Sequence, residues 1–372
     1  MAKAVKSKKP AVASLLDDES GAPAAFAAPA FFPTSLDQII GHDRAKRILR
    51  EAMTSGRVHH AWIFAGPQGV GKFAAAYAFA AELMNSSEDA ARRLGAGVHP
   101  DLHIIRKELA SSSDDDAVRK SKQTSISRKV IDQFVLDVAP LASSITGKLM
   151  DKMFIIDEAE LLDRSPTNAP TQNAMLKLLE EPPAGTGFVL VTTDENRLIQ
   201  TIRSRCQRVG FGPLKRDDVV AVLGRTGVVL PTKPDLDWAI GFAEGSPGVA
   251  LQTIALDLFQ WRRDLLPPLA ALDENPAATA TLGNIMFKLV EQQAARQADE
   301  SKTSSKEAAN RYWARRMLAA VAGHYRDRMA TRPARGVAAL ELCTAAERQL
   351  EANVQLALIF DNLAAQLAWA GR

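Results

Sequence analysis

The period of hydrophobic and polar positions changes several times along this chain, and each change marks an element. Residues 1–32 have no period: Lys, Ala, Pro and Ser surround the acidic Asp17-Asp18-Glu19. Such a segment cannot offset its ordering entropy by burial, and reads as a flexible tail. From Ser35 to Ser55 the spacing is helical, opened by Gly41-His42-Asp43, with Ala45, Ile48, Leu49 and Ala52 on one side. Ala61-Trp62-Ile63-Phe64-Ala65 is a short apolar run that ends in a glycine-rich turn, the mark of a buried strand. Lys72 to Met84 then reads as an Ala-rich helix. Strand, glycine loop and helix form the first unit of an α/β fold with a parallel sheet.

Residues 85–124 are dominated by Ser, Asp, Arg, Lys and Gly. Within them Asp101-Leu102-His103-Ile104-Ile105 reads as an edge or second strand and the remainder as loop. Ser127 to Val138 returns to helix. Lys152 to Ile156 is a buried strand running into Asp157-Glu158. Gln172 to Glu181 is a helix halted by Pro182-Pro183, since proline disfavours helix in the residue before it. Gly187 to Thr193 is a third core strand. Beyond residue 214 nearly every stretch is helical in pattern, with turns at Gly245-Ser246-Pro247-Gly248 and Asp273-Glu274-Asn275-Pro276. Amphipathic periodicity then runs from Ala345 to Trp369.

Composition narrows the class. A chain of 372 residues predicts two or three domains, and 47% hydrophobic with 24% charged residues is the balance of a soluble globular protein. The net charge of +3 neither announces a nucleic-acid partner nor excludes a local basic face. Two distant cysteines, Cys206 and Cys343, make no disulfide framework and no zinc site, and fit a reducing cytoplasm. The chain holds no apolar run of the roughly 18 residues that a membrane span needs. Ala22 to Phe32 is interrupted by Pro23 and Pro29, so no secretory signal is expected.

Three segments carry candidate chemistry. Gly66-Pro67-Gln68-Gly69-Val70-Gly71-Lys72-Phe73 has the spacing of a phosphate-binding loop. Gly66, Gly69 and Gly71 let backbone N–H groups face a phosphate, and Lys72 reaches the β- and γ-phosphates. The last position departs from the pattern: Phe73 stands where a Ser or Thr hydroxyl coordinates Mg²⁺. The second segment, Phe154 to Glu160, ends an apolar strand in Asp157 and Glu158. In an ATPase such a Walker-B-like pair anchors Mg²⁺ and polarises the attacking water. Otherwise it is a strand running into a solvated acidic loop. The third is Thr192-Thr193-Asp194 with Thr201-Ile202-Arg203-Ser204-Arg205-Cys206. Thr193 sits at a strand's C-terminal end, where ligands bind in open α/β sheets. Arg205 either reaches a neighbour's γ-phosphate or makes an ordinary surface salt bridge.

These segments resemble bacterial DNA polymerase III clamp-loader subunits. The resemblance is carried by Asn173 to Pro183, by Thr201 to Gln207 with its Ser204-Arg205-Cys206, by Ile40-Gly41-His42, by His59-His60-Ala61-Trp62, and by Gly97-Val98-His99-Pro100-Asp101-Leu102. It is clear over residues 33–214 and weaker beyond. It implies an AAA+ α/β domain with a degenerate P-loop at 33–213, a helical lid at 214–255 and an all-α collar for oligomerisation at 256–372. Within the family, Phe73 sides with the delta-prime branch, a stator that lends its Ser-Arg-Cys arginine to an adjacent ATPase. Gly248 stands where the lid of a hydrolysing relative carries a phosphate-sensing Arg, and Gln200 replaces a proline common before the Ser-Arg-Cys element. The four zinc-binding cysteines of many relatives are missing between Met84 and His99.

The resemblance therefore implies Arg205 as an arginine finger in trans, no required cofactor, and residual ATP or ADP binding without hydrolysis at Gly66, Gly69, Gly71, Lys72, Asp157, Glu158 and Thr193. Implied partners are the delta and gamma/tau subunits, the sliding clamp and the phosphates of primed DNA, in the cytoplasm and away from membranes. Two alternatives stay open: an ATP-hydrolysing clamp-loader motor or DNA-repair ATPase, and a scaffold with an idle Arg205. The stripe Leu350, Val354, Leu358 and Leu363 suits either burial between subunits or an intrachain core.

Overall fold

A computed structural model of the chain describes residues 32–120, 125–163, 167–274, 279–300, 306–352 and 354–370. Residues 1–31 of the expected tail, 121–124 of the polar segment and 275–276 of the second expected turn lie outside the described residues. The chain divides into a unit over Pro29–Leu266 and another that contains Pro267–Arg372.

The first unit is built on five parallel strands: β1 (Ala61–Ala65), β2 (Leu102–Ile105), β3 (Lys152–Ile156), β4 (Thr186–Thr192) and β5 (Gln207–Gly210), in the order β2-β3-β4-β1-β5. The sheet is parallel throughout, with Ala61 opposite Phe188, Phe154 opposite Phe188 and Trp62 opposite Gln207. β1, β3 and β4 are buried at every position and mostly apolar, because helices cover both faces. Trp62, Phe64, Ile155, Val189 and Val191 enter one core with Tyr77, Phe79 and Leu83 of the helix after the glycine loop. Ala61, Ile63, Phe154, Phe188 and Leu190 enter the other, with Val130, Met175 and Leu179. Alternate residues of one strand thus serve opposite cores, as a side-chain period of two requires.

The helices of this unit are α1 (Asp43–Thr54), α2 (Lys72–Met84), α3 (Glu88–Gly95), α4 (Asp116–Lys120), α5 (Arg128–Ile131), α6 (Pro170–Glu180), α7 (Gln200–Arg203), α8 (Arg216–Arg225), α9 (Lys233–Ala243) and α10 (Pro247–Ala255). Helix α11 (Phe259–Glu274) follows, and its Arg262 pairs with Asp235 of α9 at 3.0 Å. α2 and β1 keep the expected limits. The polar stretch 85–124, expected to be loop apart from one strand, holds α3 and α4. Ser87 caps α3, with Glu88 and Asp89 in its first turn and Arg92 and Arg93 in its last. Local caps and dipole-matched charges make that helix, rather than a long apolar stripe. The helix expected over Ser127–Val138 is α5 followed by a π-helical turn at Asp132–Leu136. β5 has no counterpart in the expected strands. It is an edge strand with Val209 alone buried, so its pattern is mostly polar.

In the second unit α12 (Thr279–Glu300) packs on α13 (Lys306–Asp327) and α15 (Leu356–Leu367), and α14 (Pro333–Glu351) on α13 and α15. The amphipathic run expected from Ala345 to Trp369 is interrupted between α14 and α15. Buried Arg335 donates to the carbonyls of Ala370 and Leu272 at 2.9 and 3.3 Å and lies over Tyr325. Of the apolar stripe, Leu350 and Leu363 are buried, whereas Leu358 is 59% and Val354 38% exposed. Among the described residues no helix is long and apolar enough to cross a membrane.

Candidate functional site

The glycine loop joins β1 to α2 at the C-terminal end of the sheet. Gly66 donates its N–H to the Thr192 carbonyl of β4 at 3.3 Å. A Cβ on Gly66 would stand 2.0 Å from the carbonyl oxygen of Phe211, so only glycine passes there. Five consecutive loop carbonyls then accept hydrogen bonds from outside the loop backbone. Lys72 Nζ donates to Gly66 and Pro67, both at 2.7 Å. Ser246 Oγ donates to Gln68 and the Gly248 N–H to Gly69, both at 2.9 Å. The His42 Nε2–H donates to Val70 at 2.8 Å. The Gly41-His42 element and the start of α10 are therefore structural ties on this loop. Burial holds the His42 ring below the usual histidine pKa, the donating neutral form.

Lys72 is 6% exposed. Burial pulls its pKa down to about 8, opposed by the carboxylates of Glu160, Asp157 and Glu158. The loop and the acidic strand end thus meet as the sequence spacing required. Their detailed pairing is new. Arg106, just past β2, lies with its guanidinium carbon 4.3 Å from the centre of the Phe73 ring. Its Nε and Nη2 stand 3.0 and 2.9 Å from Oδ2 of Asp157. Lys107, 1% exposed, stands 3.3 Å from Glu158. Thr193 donates its N–H to Glu160 at 3.2 Å, and its hydroxyl donates to the same carboxylate.

Mg²⁺ does not fit this arrangement. Phe73 has no oxygen to offer, and Asp157 already carries the Arg106 charge. A phosphate chain does fit the cradle, because the carbonyls are tied back and the first N–H groups of α2 have no intrahelical acceptor. Among the described residues no group of three or more His, Cys, Asp or Glu is placed to hold a metal ion. An open cleft of about 850 Å³ extends from Gly66 and Thr193 past Arg208 to His42 and Asp218.

Arg205 lies apart from the loop, just past α7. Its Nη2 is 2.6 Å from Glu180 of α6, and its Nη1 donates to the Thr201 carbonyl at 2.9 Å. The side chain is 34% exposed. Next to it Cys206 is half-buried, and the desolvation of its thiol pushes the pKa up to about 12. The structure therefore joins Gly66, Gly69, Gly71, Lys72, Asp157, Glu158 and Thr193 in one neighbourhood and leaves Arg205 outside it. Arg106, Lys107, Glu160 and Glu180 were missed in the sequence. Arg106 and Lys107 had a usable signal, since they follow β2 at the sheet end where ligands of α/β folds bind.

Residues 41–215 match the family described as DNA polymerase III, delta subunit. The chain is 30% identical over 226 residues to DNA polymerase III subunit delta' of Escherichia coli (strain K12), over 58% of this chain and 60% of that protein. It is 30% identical over 207 residues to DNA polymerase III subunit tau of Bacillus subtilis (strain 168), over 54% of this chain and 32% of that protein. Over residues 41–215 the chain is therefore similar to DNA polymerase III subunits of the delta, delta' and tau kinds. The chain spans 60% of the length of one of those relatives and about a third of the other. A solved gamma subunit-related protein from Thermotoga maritima aligns over 89% of this chain and all of that one, at 16% identity and a TM-score of 0.42. The matched region is an α/β domain with its glycine loop at the end of a parallel sheet, and helices follow it.

Proposed function

We propose that this chain is a clamp-loader subunit, a non-hydrolysing stator of the delta-prime type. It assembles with delta and gamma/tau subunits, lends Arg205 to the ATP of the adjacent motor, and helps load the sliding clamp onto primed DNA in the cytoplasm. One observation carries the reading: every position that would run hydrolysis in this chain is engaged elsewhere. Phe73 replaces the metal-binding hydroxyl, Arg106 neutralises Asp157 and Lys107 neutralises Glu158. Arg205 is differently disposed. It sits at the surface, tied to a half-exposed carboxylate, and such a pair is worth only about 0–1 kcal/mol. A γ-phosphate from a neighbour would displace Glu180 at small cost and gain a charge-assisted, two-pronged contact. Contacts to DNA would be to phosphates, and so salt-sensitive and independent of sequence.

The test is the DNA- and clamp-stimulated ATPase of the reconstituted complex, with wild-type chain and with Arg205→Ala at equal assembly. A large loss supports the stator. An unchanged rate leaves a scaffold with an idle Arg205. ATP hydrolysis by the isolated chain would instead favour a motor or repair ATPase.

A further inference from the structure

We infer that Arg106 takes the place of a divalent cation in this site, so that the loop seats the phosphates of a nucleoside di- or triphosphate without Mg²⁺. In a metal-using phosphate loop the cation bridges phosphate oxygens to a hydroxyl at position 73 and, through water, to the strand-end Asp. Here one guanidinium meets both of those positions. Its face covers Phe73 at 4.3 Å, and two of its nitrogens stand 2.9 and 3.0 Å from Asp157 Oδ2. The stacking and the ion pair together fix a permanent positive charge between the loop helix and the acidic strand end. Guanidinium stays charged under all ordinary conditions, and its planar fork suits phosphate oxygens. The N–H groups not used on Asp157 are available to a phosphate.

Two further features fit a site kept for anions rather than one that has decayed. The five loop carbonyls are each held by a side chain or N–H from outside the loop backbone, so the loop keeps the curl that turns N–H groups towards a ligand. Lys72 remains buried at the head of α2, where it adds a second cation. The inference stands whether or not Arg205 serves a neighbour.

Calorimetric titration of the full chain with ADP, once in excess MgCl₂ and once in excess EDTA, tests it without any variant. The expected affinities agree within about twofold, because no metal takes part. Arg106→Ala is expected to weaken binding in EDTA by about tenfold or more, the loss of a charge-assisted contact. Phe73→Thr with Arg106→Ala restores both metal anchors, and is expected to bind ADP about tenfold more tightly with Mg²⁺ than without. An Mg²⁺ gain of about tenfold in the wild type would overturn the inference. So would the absence of ADP binding in both buffers, or unchanged affinity in a folded Arg106→Ala chain. Binding is read on the chain alone and the Arg205 experiment on the assembly, so either reading can fail by itself.

Discussion

The phosphate loop and the Arg205 segment sit in the same α/β domain and have opposite designs. The loop is closed in on itself. Its carbonyls are tied to His42, Lys72, Ser246 and Gly248, and its acidic neighbours are paired with Arg106 and Lys107. Arg205 is held by the surface carboxylate of Glu180, the Thr201 carbonyl and a long bond to the Ser204 hydroxyl. The difference teaches where chemistry can still occur. A partly buried network of interlocked charges is costlier to open than a surface pair, since removing one partner leaves the other poorly solvated. A half-exposed ion pair exchanges partners freely. That contrast is what the proposed stator role, acting on a neighbour's ligand, would need.

The sharpest way to break this contrast is Arg205→Ala. Arginine fingers in other nucleotide hydrolases are worth roughly 10³–10⁵ in rate, and the complex's stimulated ATPase is expected to fall by at least tenfold. The next comparison lies one residue away. Burial raises the Cys206 thiol from 9.0 to about 12. Thiolate at pH 8 should therefore be much scarcer than in the unfolded chain. Alkylation by iodoacetamide at pH 8, followed by mass spectrometry, is expected to spare Cys206 in the folded chain and modify it in urea. Rapid native labelling would mean that the Arg205 segment opens as a whole.

On the loop side, Ser246→Ala removes both the N-cap of α10 and the bond to Gln68. A cap and a buried hydrogen bond together predict a loss of about 1–2 kcal/mol in chemical denaturation. The ATPase of the assembled complex should be retained, and its collapse would tie the loop to the function of Arg205. The smallest effect is expected from Glu180→Gln, with stability within about 1 kcal/mol of wild type. A marked loss of complex ATPase in that variant would show that Glu180 aims Arg205 rather than parks it.

Much of the α/β domain was legible along the chain. β1, the glycine loop and α2 follow from an apolar run, a glycine spacing and an Ala-rich helix, all local in sequence. β5 was not legible. Its Gln207, Arg208 and Gly210 are exposed, and its strand character comes from pairing with Trp62 to Ala65 of β1. α3 was legible only through its caps, because Ser87 and the flanking charges do what a hydrophobic stripe does elsewhere. In the site, Gly66, Lys72 and Asp157 were visible by type and spacing. Arg106 was hidden because its role depends on two partners, Phe73 and Asp157, brought to it from separate elements.

By itself the sequence determined the kind of molecule: a parallel α/β domain with a phosphate loop that has lost its metal-binding hydroxyl, followed by helices. Periodicity, glycine spacing and the identity of residue 73 are local properties, and local physics suffices to read them. Tertiary structure alone decided what replaced the hydroxyl and which groups stayed free. It set Arg106 between Phe73 and Asp157, closed the loop carbonyls with His42 and Ser246, and left Arg205 on Glu180. The physical reason is that a charge acts through its distance to other charges in space, and residues 51 apart in the chain, such as Arg106 and Asp157, are brought together only by the pairing of β2 with β3.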